Sequence, residues 1–171
     1  MGLRDRRGGD SKRTFCMREK VFAIGDDYWI EDSDGQKVYK VDGKAIRFRD
    51  TFVLEDANGA ELAVIKEKKL AVRDTMTIEV GGREAKVKKR LIGIRDRYNV
   101  DFEEGDDYTA KGNFVDHEYE IEREGEKVAE ISKKWFRVRD TYGVEIMGEQ
   151  DVALILAVTV CIDAMSHDLG T

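Results

Sequence analysis

The feature that most constrains this chain is a repeat. The triplet Arg-Asp-Thr stands at Arg49-Asp50-Thr51, Arg73-Asp74-Thr75 and Arg139-Asp140-Thr141, and Arg95-Asp96-Arg97 is a close variant. Gly25-Asp26-Asp27 and Val115-Asp116-His117 fill the gaps, so aspartates at 26, 50, 74, 96, 116 and 140 anchor successive units in steps of 24, 24, 22, 20 and 24 residues. Self-similarity at such a period marks one supersecondary unit used repeatedly.

The flanks of each anchor repeat as well. Two residues before it stand Ile24, Phe48, Val72, Ile94, Phe114 and Val138; two after stand Tyr28, Phe52, Met76, Tyr98 and Tyr142. Four after stand Ile30, Leu54, Ile78, Val100 and Val144, and the fifth unit slips by one to use Tyr119 and Ile121. Gly112 breaks the apolar row four before the anchors. Apolar residues at every second position on both sides of an anchor are the pattern of half-buried strands. Each unit closes on a turn signal, such as Asp32-Ser-Asp-Gly35, Asp56-Ala-Asn-Gly59, Gly81-Gly82 or Glu124-Gly125. Proline is absent, so Gly, Asn and Asp supply the turn geometry. Six units of two strands give about twelve mostly antiparallel strands, which right-handed twist pulls toward closure.

The anchors need an account of their own. A strand running straight through would set the Asp on the apolar face, at a cost unless it had a partner. A three-residue connection centred on the Asp is the expected solution, setting the −2 residue opposite +2 and −4 opposite +4, with a bulged strand as the alternative.

From Asp151 the pattern changes. Val152 to Ile162 is apolar nearly all round, after a Glu149-Gln150-Asp151 lead-in that suits a helix N-terminus. A helix over 151–166 without a polar face is a buried one, and it falls short of the roughly 20 residues of a membrane span. Twelve strands make a barrel wider than its own side chains fill, since about eight suffice for that. The helix is therefore expected inside it, as a plug. The fold class is an all-β, about twelve-stranded closed antiparallel barrel around a C-terminal helix. Residues 1–14 are expected to be a flexible basic tail, and 15–171 a single domain.

With 36 acidic and 30 basic residues the net charge is −6, which argues against a general nucleic-acid binder. Two cysteines, Cys16 and Cys161, and no apolar leader stretch fit a reducing, cytoplasmic setting.

No constellation points firmly to catalysis. Asp116-His117-Glu118 suggests a catalytic or metal cluster, but neighbours on a strand face opposite ways, so a variant turn is the simpler reading. Asp32-Ser-Asp-Gly35 opens like a calcium loop, yet Gly43 stands where the closing Glu would be. No metal site, cofactor or catalytic residue is assigned. The basic clusters carry the functional reading: Lys66, Lys68 and Lys69; Lys88, Lys89 and Arg90; and Lys133 with Lys134. Each precedes an anchor by a similar distance, so the repeat would stack them on one rim, able to take an anionic small molecule, a phospholipid headgroup or a protein partner. Two other readings compete with it: a hydrolase or transferase using the Asp116/His117 region, and a purely structural or self-associating protein.

Several segments resemble the LURP-one-related family. They are Met17 to Glu31, Val41 to Ala45, the Arg-Asp-Thr triplets, Asp116 to Ile121 and Trp135 to Glu145, and the likeness runs from about residue 15 to 167. The resemblance implies a Tubby-C-like fold, a twelve-stranded barrel around a hydrophobic C-terminal helix. The wider fold group includes the phosphoinositide-binding Tubby domain and the phospholipid scramblases, whose activities belong to those relatives. This sequence has no scramblase-type calcium segment and no cysteine-rich stretch.

Overall fold

A computed structural model describes residues 11–18, 27–46, 49–67, 75–92, 95–105, 107–135 and 141–167. Among them are twelve strands: β1 (Arg13–Arg18), β2 (Asp27–Asp32), β3 (Lys37–Ile46), β4 (Arg49–Asp56), β5 (Glu61–Glu67), β6 (Thr75–Val80), β7 (Arg83–Ile92), β8 (Arg95–Phe102), β9 (Tyr108–Asn113), β10 (Glu118–Arg123), β11 (Glu126–Ser132) and β12 (Thr141–Ile146). One helix follows, α1 (Val152–His167). Each strand pairs antiparallel with the next, and β1 pairs with β12 to close the barrel. Arg13 and Thr14 belong to β1 and not to the tail, because both have register partners on β12.

The alternation is the one the sequence carries. On β8 burial reads exposed to buried in steps of two, ending on Tyr98, Val100 and Phe102; on β5 it sets Ala63 and Ile65 inward. These inward rows meet α1, whose residues from Leu154 to Asp163 are all buried. The helix begins where Asp151 caps it, with its carboxylate accepting from Leu154 N–H at 3.3 Å and its carbonyl from Ile155 N–H at 3.1 Å. Burial of each Leu or Ile contributes about 1.5–3 kcal/mol, and the strands supply most of a core that the helix completes.

The meander gives the barrel two distinct ends. One carries the hairpin turns. There Asp32 Oδ1 accepts from the N–H groups of Asp34 and Gln36, and Asp56 Oδ1 from those of Asn58 and Ala60, all at 2.9 Å. The calcium-like opening at Asp32 is thus a turn whose carboxylate is used by its own backbone. The other end, called here the anchor end, carries the connections between β3 and β4, β7 and β8, and β9 and β10. The helix starts at the turn end and finishes at the anchor end.

The connections differ from the expectation. Between β3 and β4 the register runs Ile46↔Arg49, Ala45↔Asp50 and Gly43↔Phe52; between β7 and β8 it runs Ile92↔Arg95, Leu91↔Asp96 and Lys89↔Tyr98. Asp50 and Asp96 are therefore strand residues, each the second of its strand. The Asp96 side chain stays 40% exposed at the barrel end, so solvent and a cross-strand partner meet its cost instead of a turn. Asp96 shares the inward row of Tyr98 and Val100, and Lys89 Nζ, on the inward row of Ala85 and Val87, reaches its carboxylate at 3.3 Å. Asp116 alone among the described anchors sits in a turn, where it accepts from Asn113 Nδ2 at 2.7 Å. Asp26, Asp74 and Asp140 lie outside the described residues.

Gly112 departs from the apolar row for a steric reason. It has φ +139°, and a Cβ there would fall 2.6 Å from Tyr119 Cα on the paired strand. Only glycine lets β9 and β10 approach so closely.

Candidate functional site

Two places concentrate polar chemistry: the barrel interior at the anchor end, and the outer wall beside it.

Inside, Asp163 on the last turns of α1 is 3% exposed. Tyr142 O–H donates to its Oδ2, and His117 Nε2 lies 3.3 Å from Oδ1. The His117 ring stacks on Tyr142 with centroids 4.2 Å apart and planes 21° apart. His117 reaches inward because its backbone is left-handed, φ +52°, in the turn joining β9 to β10. The residues two after the anchors, Tyr28, Phe52, Met76, Tyr98 and Tyr142, together with the slipped Tyr119, are all buried in the anchor-end halves of their strands. Burial first, and the Asp163 carboxylate second, push the hydroxyls of Tyr28, Tyr119 and Tyr142 well above the usual tyrosine range. They stay neutral, able to donate toward the acid. Burial likewise raises the Cys161 thiol far out of the reactive range.

In the sequence, Asp163 stands only as the boundary of the apolar run, and His117 as part of a variant turn. The turn is real, but the histidine is fully buried against an acid 46 positions away. The available signal was an acid in a helix with no polar face. Asp116, next in sequence to His117, points to Asn113 at the exposed surface, so the two do not converge on one point. The His117–Asp163 pair is sealed on all sides, His117 being 0% exposed, which leaves it no contact with bulk solvent.

On the outside, the basic residues named from the sequence fall into different environments, although all the described ones lie toward the anchor end. Lys66, on the outer face of β5, pairs with Glu79 at 3.4 Å. Lys89 faces inward to Asp96. Lys88 and Arg90 are exposed on the outer face of β7. Lys134 is exposed and Lys133 half-buried in the loop after β11; their backbone N–H groups bond Ser132 Oγ and Glu118 Oε1, each at 3.1 Å. Lys68 and Lys69 lie outside the described residues.

Two arginines absent from that set complete the outer face. Arg97 stands directly opposite Arg90 in the register, and Arg95 lies two residues away on the same exposed row. Among the described residues no carboxylate pairs with Arg90, Arg95 or Arg97. Like charges set directly opposite each other destabilise a sheet, so this face carries an unrelieved cost.

The profile of the LURP-one-related family matches residues 13–163. The chain belongs to the LURP-one-related family. A similar protein of Bacillus subtilis, the uncharacterized protein YxjI, is 26% identical over 154 residues, which is 89% of this chain and 93% of that protein. Among solved structures, the X-ray structure of a protein from Arabidopsis thaliana superposes with a TM-score of 0.68 at 19% identity, covering 91% of each chain. That likeness concerns the fold. Among the described residues of this LURP-one-related chain, no group of three or more His, Cys, Asp or Glu side chains could hold a metal, and no helix is long and apolar enough to cross a membrane.

Proposed function

We propose that this LURP-one-related chain is a non-catalytic, Tubby-C-like barrel that binds an anionic ligand on its outer surface at the anchor end. One observation carries the reading: the exposed cationic face of Lys88, Arg90, Arg95 and Arg97, for which no counter-ion is found among the described residues. The filled interior supports it, because α1 occupies the space in which a wider barrel holds a ligand. A cytoplasmic location accords with free thiols at Cys16 and Cys161. A catalytic reading would have to pass through His117, whose imidazole is enclosed together with the Asp163 carboxylate.

The test is thermal unfolding of the purified chain at low ionic strength in a series of anions of rising charge: chloride, sulfate, citrate and pyrophosphate. Binding to the native state raises the midpoint with ligand concentration. The reading predicts a rise for the multivalent anions that disappears in high sodium chloride. A flat response across the series would refute it.

A further inference from the structure

A cleft of about 650 Å³ opens on the outer wall across β8, β9, β10 and β11, lined by Arg95, Arg97, Lys111, Glu118, Glu120 and Glu130 among others. Its lining mixes both signs, so its preference depends on which charges are already used. Glu118 Oε1 accepts from Ser132 Oγ and from Lys133 N–H. Lys111 lies between Glu122 at 2.6 Å and Glu120 at 3.7 Å. Glu130 holds Lys127 at 3.0 Å, and Asp96 holds Lys89. Every carboxylate lining the cleft therefore has a donor or cation of its own. Arg95 and Arg97 have no such partner among the described residues, and Arg90 stands opposite Arg97.

We infer that this cleft binds the phosphoryl group of a compact soluble molecule, clamped by Arg95 and Arg97 with Arg90 at its edge. The inference rests on the anion-binding reading above and narrows it. Two guanidiniums two residues apart on one strand face stand roughly 7 Å apart at their Cα atoms, within reach of a single phosphate. Each offers a planar fork of donors that fits phosphate oxygens bidentately. The acidic wall sets the size limit. A flat layer of anionic headgroups would press against Glu118, Glu120 and Glu130, whereas a small phosphate rests on the β8 side alone.

Isothermal titration at low ionic strength with sodium pyrophosphate tests this, alongside co-sedimentation with vesicles containing phosphatidic acid. Pyrophosphate is expected to bind, and R95A/R97A to weaken it at least about tenfold, the value of one charge-assisted hydrogen bond. R95K/R97K keeps the charge but loses the fork, and is expected to weaken binding too. K37A, at the opposite end of the barrel, is expected to bind within about twofold of the natural chain. Without ligand, R97A is expected to melt no lower than the natural chain, since it relieves the opposition to Arg90, and this separates loss of binding from loss of fold. Undiminished pyrophosphate binding by R95A/R97A would overturn the assignment while leaving the broader reading standing. Vesicle binding that pyrophosphate does not displace would overturn it in favour of a membrane surface. No binding of any anion would end both.

Discussion

Asp163→Ala removes the acid to which the barrel end is tied. Tyr142 O–H would lose its buried acceptor, and His117 Nε2 the carboxylate oxygen 3.3 Å away. An unsatisfied buried donor costs about 1–3 kcal/mol. With His117 and Asp163 at 1% and 4% side-chain exposure, water cannot replace the lost partner without reorganisation. The expected loss is therefore about 1–3 kcal/mol. At about 2–4 °C per kcal/mol for a chain of this size, the thermal midpoint should fall by roughly 6 °C. Asp163→Asn keeps an acceptor oxygen and should lose about half as much. The assay is urea unfolding followed by tryptophan fluorescence and far-ultraviolet circular dichroism, with H117A and the double variant closing a cycle. Coupling should make the double variant less destabilised than the sum of the singles. Additive losses, or an Asp163→Ala chain as stable as the natural one, would refute the idea that the acid locks the helix to the barrel end.

Other outcomes follow from the same structure. Tyr28, Tyr119 and Tyr142 have folded-state pKa values raised above the unfolded value near 10, so their contribution is complete below about pH 10 and is lost as pH rises through the folded values. Melting midpoints should hold through pH 9 and fall steeply above 10, less so in Tyr28→Phe; an equal slope in that variant would contradict the assignment. Gly112→Ala meets both a positive φ and the Tyr119 backbone, and should cost at least about 2 kcal/mol in urea unfolding. Asp32→Ala and Asp56→Ala each release two turn N–H groups and should cost about 1 kcal/mol apiece, adding independently because they serve separate hairpins.

Local physics explains which parts of this fold the sequence reveals. Alternation survives in strands such as β5 and β8 because each has one face on the core, so Ile65, Tyr98 and Val100 are readable as inward residues. The helix is readable because it lacks a polar face. The setting of the Asp anchors is not legible locally: a run of Arg-Asp-Thr has the chemistry of a turn, but the hydrogen-bond register makes Asp50 and Asp96 strand residues and sets Lys89 against Asp96. A cross-strand partner leaves no trace in a local pattern. The same holds for His117 and Asp163, which only barrel closure around the helix brings together. The outer arginines were legible as residues but not as a face, because the juxtaposition of Arg90 and Arg97 depends on the register of one hairpin.

The central claim is that ligand chemistry lies outside the barrel while the inside is given over to structure. Amide-resolved NMR during titration with pyrophosphate tests it most directly. The account predicts shifts centred on residues 88–97 and 111–113, with the α1 amides and those around Tyr28 and Tyr142 unmoved. Shifts centred on Asp163, His117 and the helix, with the β7–β8 hairpin silent, would contradict it.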